Sequence, residues 1–390
     1  MKCTGTASIH QLLGDRLLFR DLRPVDPRLP GFDDLRTRFG LAPGPIPRKS
    51  DSVYARIVAE VLRAAAADRT SRPLRYLLLV GDTERNDVTL FENLRQMTGW
   101  EGRAFICREE PRPSPPTTSD DRKGVLFASR WASLARFRRD VAHDGLGLDE
   151  RTIVVVDIDK TMIGARGRND PVIDAARLEA ARTTAANLFA AAEPARFEAA
   201  YWELNRAKWH PLTADDQDVV VLLASLVAAD LAPWSLLDER RSSTAQGGAR
   251  ALLEALASRL PADGAARLRT LLGRLDAGAS TLLPEFREAE FVATVARMGH
   301  LADGTPPEEM LREEIVLTAE LRTAIIEWQR RGCTVFGVSD KPPEACLPGD
   351  RPDGSQILPL HRTLTHVVGD EQPIDRAAET ADRFPPTGGD

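Results

Sequence analysis

The sequence predicts an α/β fold: a doubly wound parallel sheet carrying a large all-helical insertion. Three observations point there. Apolar runs at 76–80, 153–156 and 334–338 have the near-continuous character of strands buried on both faces. Segments of helical spacing lie between them, so strand and helix alternate, as a parallel sheet requires. Between 164 and 320 the alternation stops; Ala, Leu, Glu and Arg recur at helical spacing without a strand-like run.

Taken in order, residues 1–48 are rich in Pro, Gly and Arg and read as irregular, apart from a short strand at 17–19. Val53, Ile57, Val58, Val61 and Leu62 then repeat at helical spacing behind Ser50 and Asp51, either of which can cap a helix. The strand at 76–80 ends at Gly81-Asp82, and Val88, Phe91, Leu94 and Met97 mark the next helix. A strand at 103–107 precedes the Pro-rich stretch 111–122, which reads as a linker. A short helix at 131–141 leads to the strand that ends at Asp157. Beyond the insertion, a helix at 321–331 feeds the strand that ends at Ser339, and 365–368 is a further strand. The expected division is a core of 1–163 with 321–390 and a helical cap of 164–320. The tail after Arg376 is expected to fray.

Composition narrows the function classes. Of 390 residues, 43% are hydrophobic and 28% charged, enough to bury a sizeable core. The net charge of −6 leaves no basic surplus for a phosphate backbone, so nucleic acid is not expected as a partner. Cys3, Cys107, Cys333 and Cys346 form no CxxC pair and suit a reducing compartment. No signal-like apolar stretch opens the chain, and the longest apolar run, 219–229, is too short to span a bilayer. The expectation is a soluble cytoplasmic protein.

Ligands of such sheets bind at the carboxyl ends of the strands. Three strands here end in polar residues: Asp157, Ser339 and Gly81-Asp82. The strongest signal is Asp157-Ile158-Asp159-Lys160-Thr161 behind a buried strand. One carboxylate can attack phosphorus, and the other can move a proton. Carboxylates gathered at one strand end also repel each other unless a hard cation sits among them, and Mg²⁺ prefers oxygen ligands.

This segment resembles the DxDxT motif of the haloacid dehalogenase superfamily, in which the first Asp is the nucleophile and a second Asp marks phosphatases. Ser339, ending its apolar strand, is similar to the family's second motif. The third motif is a Lys before a helix and the fourth an acidic GDxxxD or GDxxxxD after a strand. Lys49 and Gly81-Asp82 through Asp87 match these, but they precede the first motif. The resemblance therefore implies a circularly permuted core with the Pro-rich stretch as its seam. It implies Asp157 as nucleophile, Asp159 as acid and base, and Ser339 and Lys49 as phosphate holders. Mg²⁺ would be bound by Asp157, Asp159 (through its carbonyl), Asp82 and Asp87. Lys341 competes with Lys49 for the lysine role. In the alternative arrangement, residues 1–110 form a separate domain and Gly369-Asp370 through Asp375 supplies the acidic motif.

A cap inserted after the first motif implies a small phosphorylated substrate, with Arg166, Arg168, Trp202, Lys208, Trp209 and His210 as candidates to touch it. The expected activity is Mg²⁺-dependent phosphate removal through an aspartyl-phosphate. A phosphotransferase with the same site, or a non-catalytic binding or scaffold protein that keeps the fold, is the alternative. His361, Arg362 and His366 carry no metal-site spacing, and no Walker A or GxSxG sequence is present.

Overall fold

A computed structural model describes residues 1–42, 44, 46–111, 120–122, 124–242, 248–260, 262–277, 279–349 and 357–370. Most of the 111–122 linker and the tail after Asp370 lie outside the described residues, as does Asp375 of the alternative acidic motif.

Ten strands are described: β1 Lys2–Ala7, β2 Leu17–Leu18, β3 Tyr76–Gly81, β4 Glu101–Cys107, β5 Asp120–Arg122, β6 Val125–Ala128, β7 Thr152–Asp157, β8 Leu317–Thr318, β9 Thr334–Val338 and β10 Thr365–Gly369. Seven form one sheet in the order β2-β9-β7-β3-β4-β6-β5. Its first six strands are parallel, and β5 closes the edge antiparallel to β6. The expected parallel α/β sheet is therefore present. Every residue of β3, β7 and β9 is buried, which explains why their apolar runs lack polar alternation.

Apolar clusters cover both faces. Helix Ser52–Ala67 and helix Thr89–Thr98 pack Tyr54, Val58, Leu62 and Phe91 on one face, with Leu77, Leu79, Ile153 and Val155. The helices Leu134–His143 and Ala319–Arg330 cover the other, with Phe137, Ile325, Val154 and Val156. Adjacent residues of one strand thus serve opposite layers, as the period of two demands.

Two expectations need correction. The expected short strand at 17–19 is β2, but residues 1–48 are not otherwise irregular: they also hold β1 and the helices Ile9–Leu13 and Phe32–Phe39. Short polar strands such as β1 leave little apolar signature. Strand β10 exists, but it joins a separate three-stranded sheet, β1-β10-β8, rather than the main one. Its partner β8 is a two-residue strand inside the stretch that reads as wholly helical.

The helical insertion has its own apolar cluster, running from Leu178 to Phe286. Two helices tie it to the sheet domain. Helix Asp170–Leu188 gives Val172 and Ile173 to the sheet's core and Leu178 and Ala181 to the cap. Helix Pro284–Val295 does the same with Phe291 and Phe286. No described helix is long and apolar enough to cross a membrane.

Candidate active site

Strand β7 lies between β9 and β3, so the carboxyl ends of all three open side by side. Asp157 closes β7 opposite Val338, one residue before Ser339. Asp82 follows β3 directly, and Asp87 sits in the wide helical turn Glu84–Val88. Gly81 is dictated by packing: a Cβ there would collide with the Asp87 side chain folded beneath it. That side chain pins the turn, because Asp87 Oδ2 accepts from Asp82 N at 3.1 Å, Thr83 N at 2.9 Å and Thr83 Oγ1 at 2.8 Å.

Lys49 reaches this point from the segment before helix Ser52–Ala67. That segment is fixed by Arg48 N donating to Asp51 Oδ2 at 2.7 Å and Asn93 Nδ2 donating to Ser50 O at 3.2 Å. Lys49 Nζ bridges Asp157 Oδ1 at 2.7 Å and Asp87 Oδ1 at 2.6 Å, all three side chains being buried. Carboxylate oxygens of Asp82, Asp87 and Asp157 lie within 4.8 Å of one another. Residues 75 positions apart in the chain thus share one pocket. Asp82 Oδ2 is also paired with Arg166 Nε. Asp157 Oδ2 is buried without a hydrogen-bond partner.

The electrostatics follow from this crowding. Burial pushes the Asp157 carboxyl well above the ordinary range; Lys49 opposes this, while Asp87 and Asp82 add to it. Burial and then Asp87 push Asp82 up to about 7 against Arg166. Asp87 is held below the ordinary value, because Lys49 and Thr83 outweigh its burial. Three buried carboxylates share one lysine and one arginine. A divalent cation with a preference for oxygen donors suits that deficit.

Asp159 stands apart. It lies in the turn after β7, where Lys160 takes the left-handed φ of 65° and Ile158 O receives Met162 N at 3.0 Å and Ile163 N at 3.1 Å. Its Oδ2 accepts from Arg177 Nη2 at 3.1 Å, and its Oδ1 has Lys341 Nζ at 3.5 Å. Lys341 and Arg177 continue to Glu290, at 3.1 and 2.9 Å, and Arg287 joins it at 2.8 Å. Burial disfavours an ionised Asp159, but Lys341 and Arg177 outweigh it and hold the carboxyl below the ordinary range. The two lysines are thereby separated: Lys49 serves Asp157, and Lys341 serves Asp159 and Glu290.

Ser339 is buried, and its Oγ accepts from Lys341 N at 3.1 Å, tightening the turn after β9. A cavity of about 960 Å³ lies over the strand ends between sheet domain and cap. Asp82, Asp87, Asp157, Asp159, Lys49 and Lys341 line it; Ser339 is behind the lining. Of the cap candidates, Arg166, Trp202 and His210 face it. Arg168 is instead buried between Glu109 at 2.8 Å and Glu320 at 2.9 Å. Trp209 is buried in the cap beside Trp234, ring centroids 5.5 Å apart, and Lys208 pairs with Glu203.

Sequence reading missed the cap-stem residues Arg177, Arg287 and Glu290, which nothing in a helical charge pattern separates from solvated surface. It discounted His361, whose ligand atoms lie within 4.8 Å of those of His10 and Asp15, two residues it did not consider. There Arg362 Nη2 sits 3.1 Å from Asp15 and already supplies the positive charge. His366 is a structural histidine, its Nδ1 2.8 Å from buried Glu314.

Comparison with family models, with curated proteins and with solved structures finds no match to this chain.

Proposed function

We propose that this protein is a Mg²⁺-dependent phosphohydrolase of the haloacid dehalogenase type, with its motifs circularly permuted, acting on small phosphomonoesters. The carrying observation is the meeting of Lys49, Asp82, Asp87 and Asp157 at one cavity floor. The lysine and the acidic turn come from chain before the nucleophile strand, as a permuted order requires. Close chain ends make such a rearrangement tolerable.

Asp157 Oδ2, free of hydrogen bonds, attacks phosphorus in line and forms an aspartyl-phosphate as the ester oxygen departs. Mg²⁺ held by Asp82, Asp157 and the Asp159 carbonyl, with Asp87 beside it, would neutralise charge on the nucleophile and the phosphoryl oxygens. Lys49 compensates Asp157 and the incoming phosphoryl group. The phosphoryl dianion offsets the cations around Asp159 and lifts it toward protonation, so that it hands a proton to the leaving oxygen. Asp159 then takes a proton from water as that water attacks the aspartyl-phosphate, releasing inorganic phosphate and restoring Asp157. The cap excludes bulk water and limits the substrate to small molecules.

The test is phosphate release from a panel of small phosphomonoesters, with Mg²⁺ and with EDTA, for wild type and Asp157→Asn. Release that needs Mg²⁺ and disappears in the variant supports the reading. Release that persists in Asp157→Asn, or none from any ester by folded protein, overturns it.

A further inference from the structure

We infer that the substrate carries a second anionic group, bound by Arg20 and Arg48 on the cap side of the phosphoryl site. This rests on the phosphohydrolase reading for the first anion, but its argument is independent. Arg20 follows β2, and its backbone N donates to Lys341 O at 3.0 Å, which anchors it beside the turn after β9. Arg48 immediately precedes Lys49. Both line the cavity.

The two guanidiniums converge on a single oxygen. Arg20 Nη2 and Arg48 Nη2 donate to Asp216 Oδ2 at 2.5 and 2.8 Å. Among the described residues neither side chain has another carboxylate partner. Each guanidinium carries five N–H donors, so most of their capacity is unspent. Asp216 is itself already engaged, its Oδ1 accepting from Asp218 N at 3.0 Å as cap of helix Gln217–Ala228. Arg287, 3.8 Å from Asp216, is committed to Asp218 and Glu290.

A second observation comes from the same cavity. The Tyr54 hydroxyl is buried, lines the cavity and has no hydrogen-bond partner. A buried hydroxyl without an acceptor is costly. Asp340 lines the cavity too, with Asn86 Nδ2 at 3.4 Å, and its burial favours the neutral form. Two underused guanidiniums and an orphan hydroxyl beside the phosphoryl site fit a carboxylate or second phosphate a few bonds from the ester. Asp216, from the cap, stands in for that group when the site is empty and yields to it on binding.

Binding of non-hydrolysable probes tests this without turnover. Affinities of 3-phosphonopropionate and propylphosphonate are measured by calorimetry with Mg²⁺ present. The expected result is at least tenfold tighter binding of the carboxylate-bearing probe, a ratio that falls below threefold in Arg48→Ala. Asp216→Asn keeps the helix-capping oxygen and removes the competing charge, so the ratio rises. Equal affinities in wild type, or an Asp216→Asn variant that weakens both probes alike, overturn the inference and leave a plain clasp between cap and core. Kinetics with 3-phosphoglycerate and glycerol 3-phosphate separate the two failures. Mg²⁺-dependent release without preference sinks the second-anion site alone. A probe preference without release sinks the hydrolase and keeps the site.

Discussion

Asp157 and Asp159 are two residues apart, yet their surroundings are built on opposite terms. Around Asp157, the buried carboxylates of Asp82, Asp87 and Asp157 share, among the described residues, only Lys49 and Arg166, and Asp157 is driven toward protonation. Around Asp159, its own carboxylate and that of Glu290 meet Lys341, Arg177 and Arg287, with Arg177 also reaching Asp174 and Arg287 also paired with Asp218. There the cations overcome burial and both carboxyls lie below the ordinary range. The first cluster is short of positive charge and could hold a cation from outside. The second is paired internally, and it sits where the two cap-stem helices meet the strand-end turns, so it braces cap to core while holding Asp159 at the cavity. A buried acidic residue is therefore not informative alone; the balance of its neighbours separates a carboxylate short of positive charge from one already held by cations.

The sharpest way to break this contrast is to remove one carboxylate from each cluster. Asp157→Asn is expected to lower phosphate release by at least about a thousandfold, roughly 4 kcal/mol in the barrier. In EDTA the same variant is expected to be more stable than wild type, because it relieves like-charge crowding. Urea unfolding in EDTA checks this, and a variant less stable than wild type would refute the deficit at Asp157. Glu290→Ala should do the reverse and strand Lys341, Arg177 and Arg287 without their shared partner. The expected cost is about 3–5 kcal/mol, typical of breaking a buried pair from one side. A cost below about 1 kcal/mol would place this network with exposed pairs of little worth.

Metal addition gives the next largest effect. A cation that binds only the folded protein at a hundred times its dissociation constant contributes about 2.7 kcal/mol. Mg²⁺ should therefore raise the unfolding midpoint of wild type and leave Asp82→Asn nearly unmoved. Equal shifts in both proteins would put the cation elsewhere.

How much of this could be read from the chain depends on what each residue leaves in its local pattern. β3, β7 and β9 announce themselves because burial on both faces demands unbroken apolar runs, and their polar ends point to the site. Lys49, Asp82, Asp87, Asp157 and Asp159 are each findable because a short motif fixes them. Arg177, Arg287 and Glu290 are invisible by the same logic. They lie on helices where charges at helical spacing read as solvated faces, and only the packing of the stem turns them inward. Arg20 and Arg48 lie in Pro- and Arg-rich chain that reads as irregular, and their convergence on Asp216 spans 196 and 168 positions. β1 and β10 pair through backbone bonds in a small side sheet, which side-chain pattern does not foretell.

The smallest effect is the most discriminating, because it sets both clusters on one axis. Glu290 in the folded protein titrates well below its unfolded value, since Lys341, Arg177 and Arg287 outweigh the burial that pushes it up. Its stabilising contribution is therefore full above the unfolded pKa, about 4.3, and is lost as pH falls through the folded value. Asp157 has the opposite sign. Burial raises its folded pKa, so its ionisation costs stability at neutral pH, and acid relieves that cost as pH falls through the raised value. In EDTA at fixed ionic strength, two gaps should thus appear at pH 7. Asp157→Asn lies above wild type, and Glu290→Gln lies below. On acidification the Asp157 gap should close first, at the higher pH, and the Glu290 gap only below about pH 4. Urea midpoints at several pH values between 7 and 3 decide it. If both gaps close together, or if the Asp157 gap widens in acid, the two clusters are not the opposites their geometry makes them.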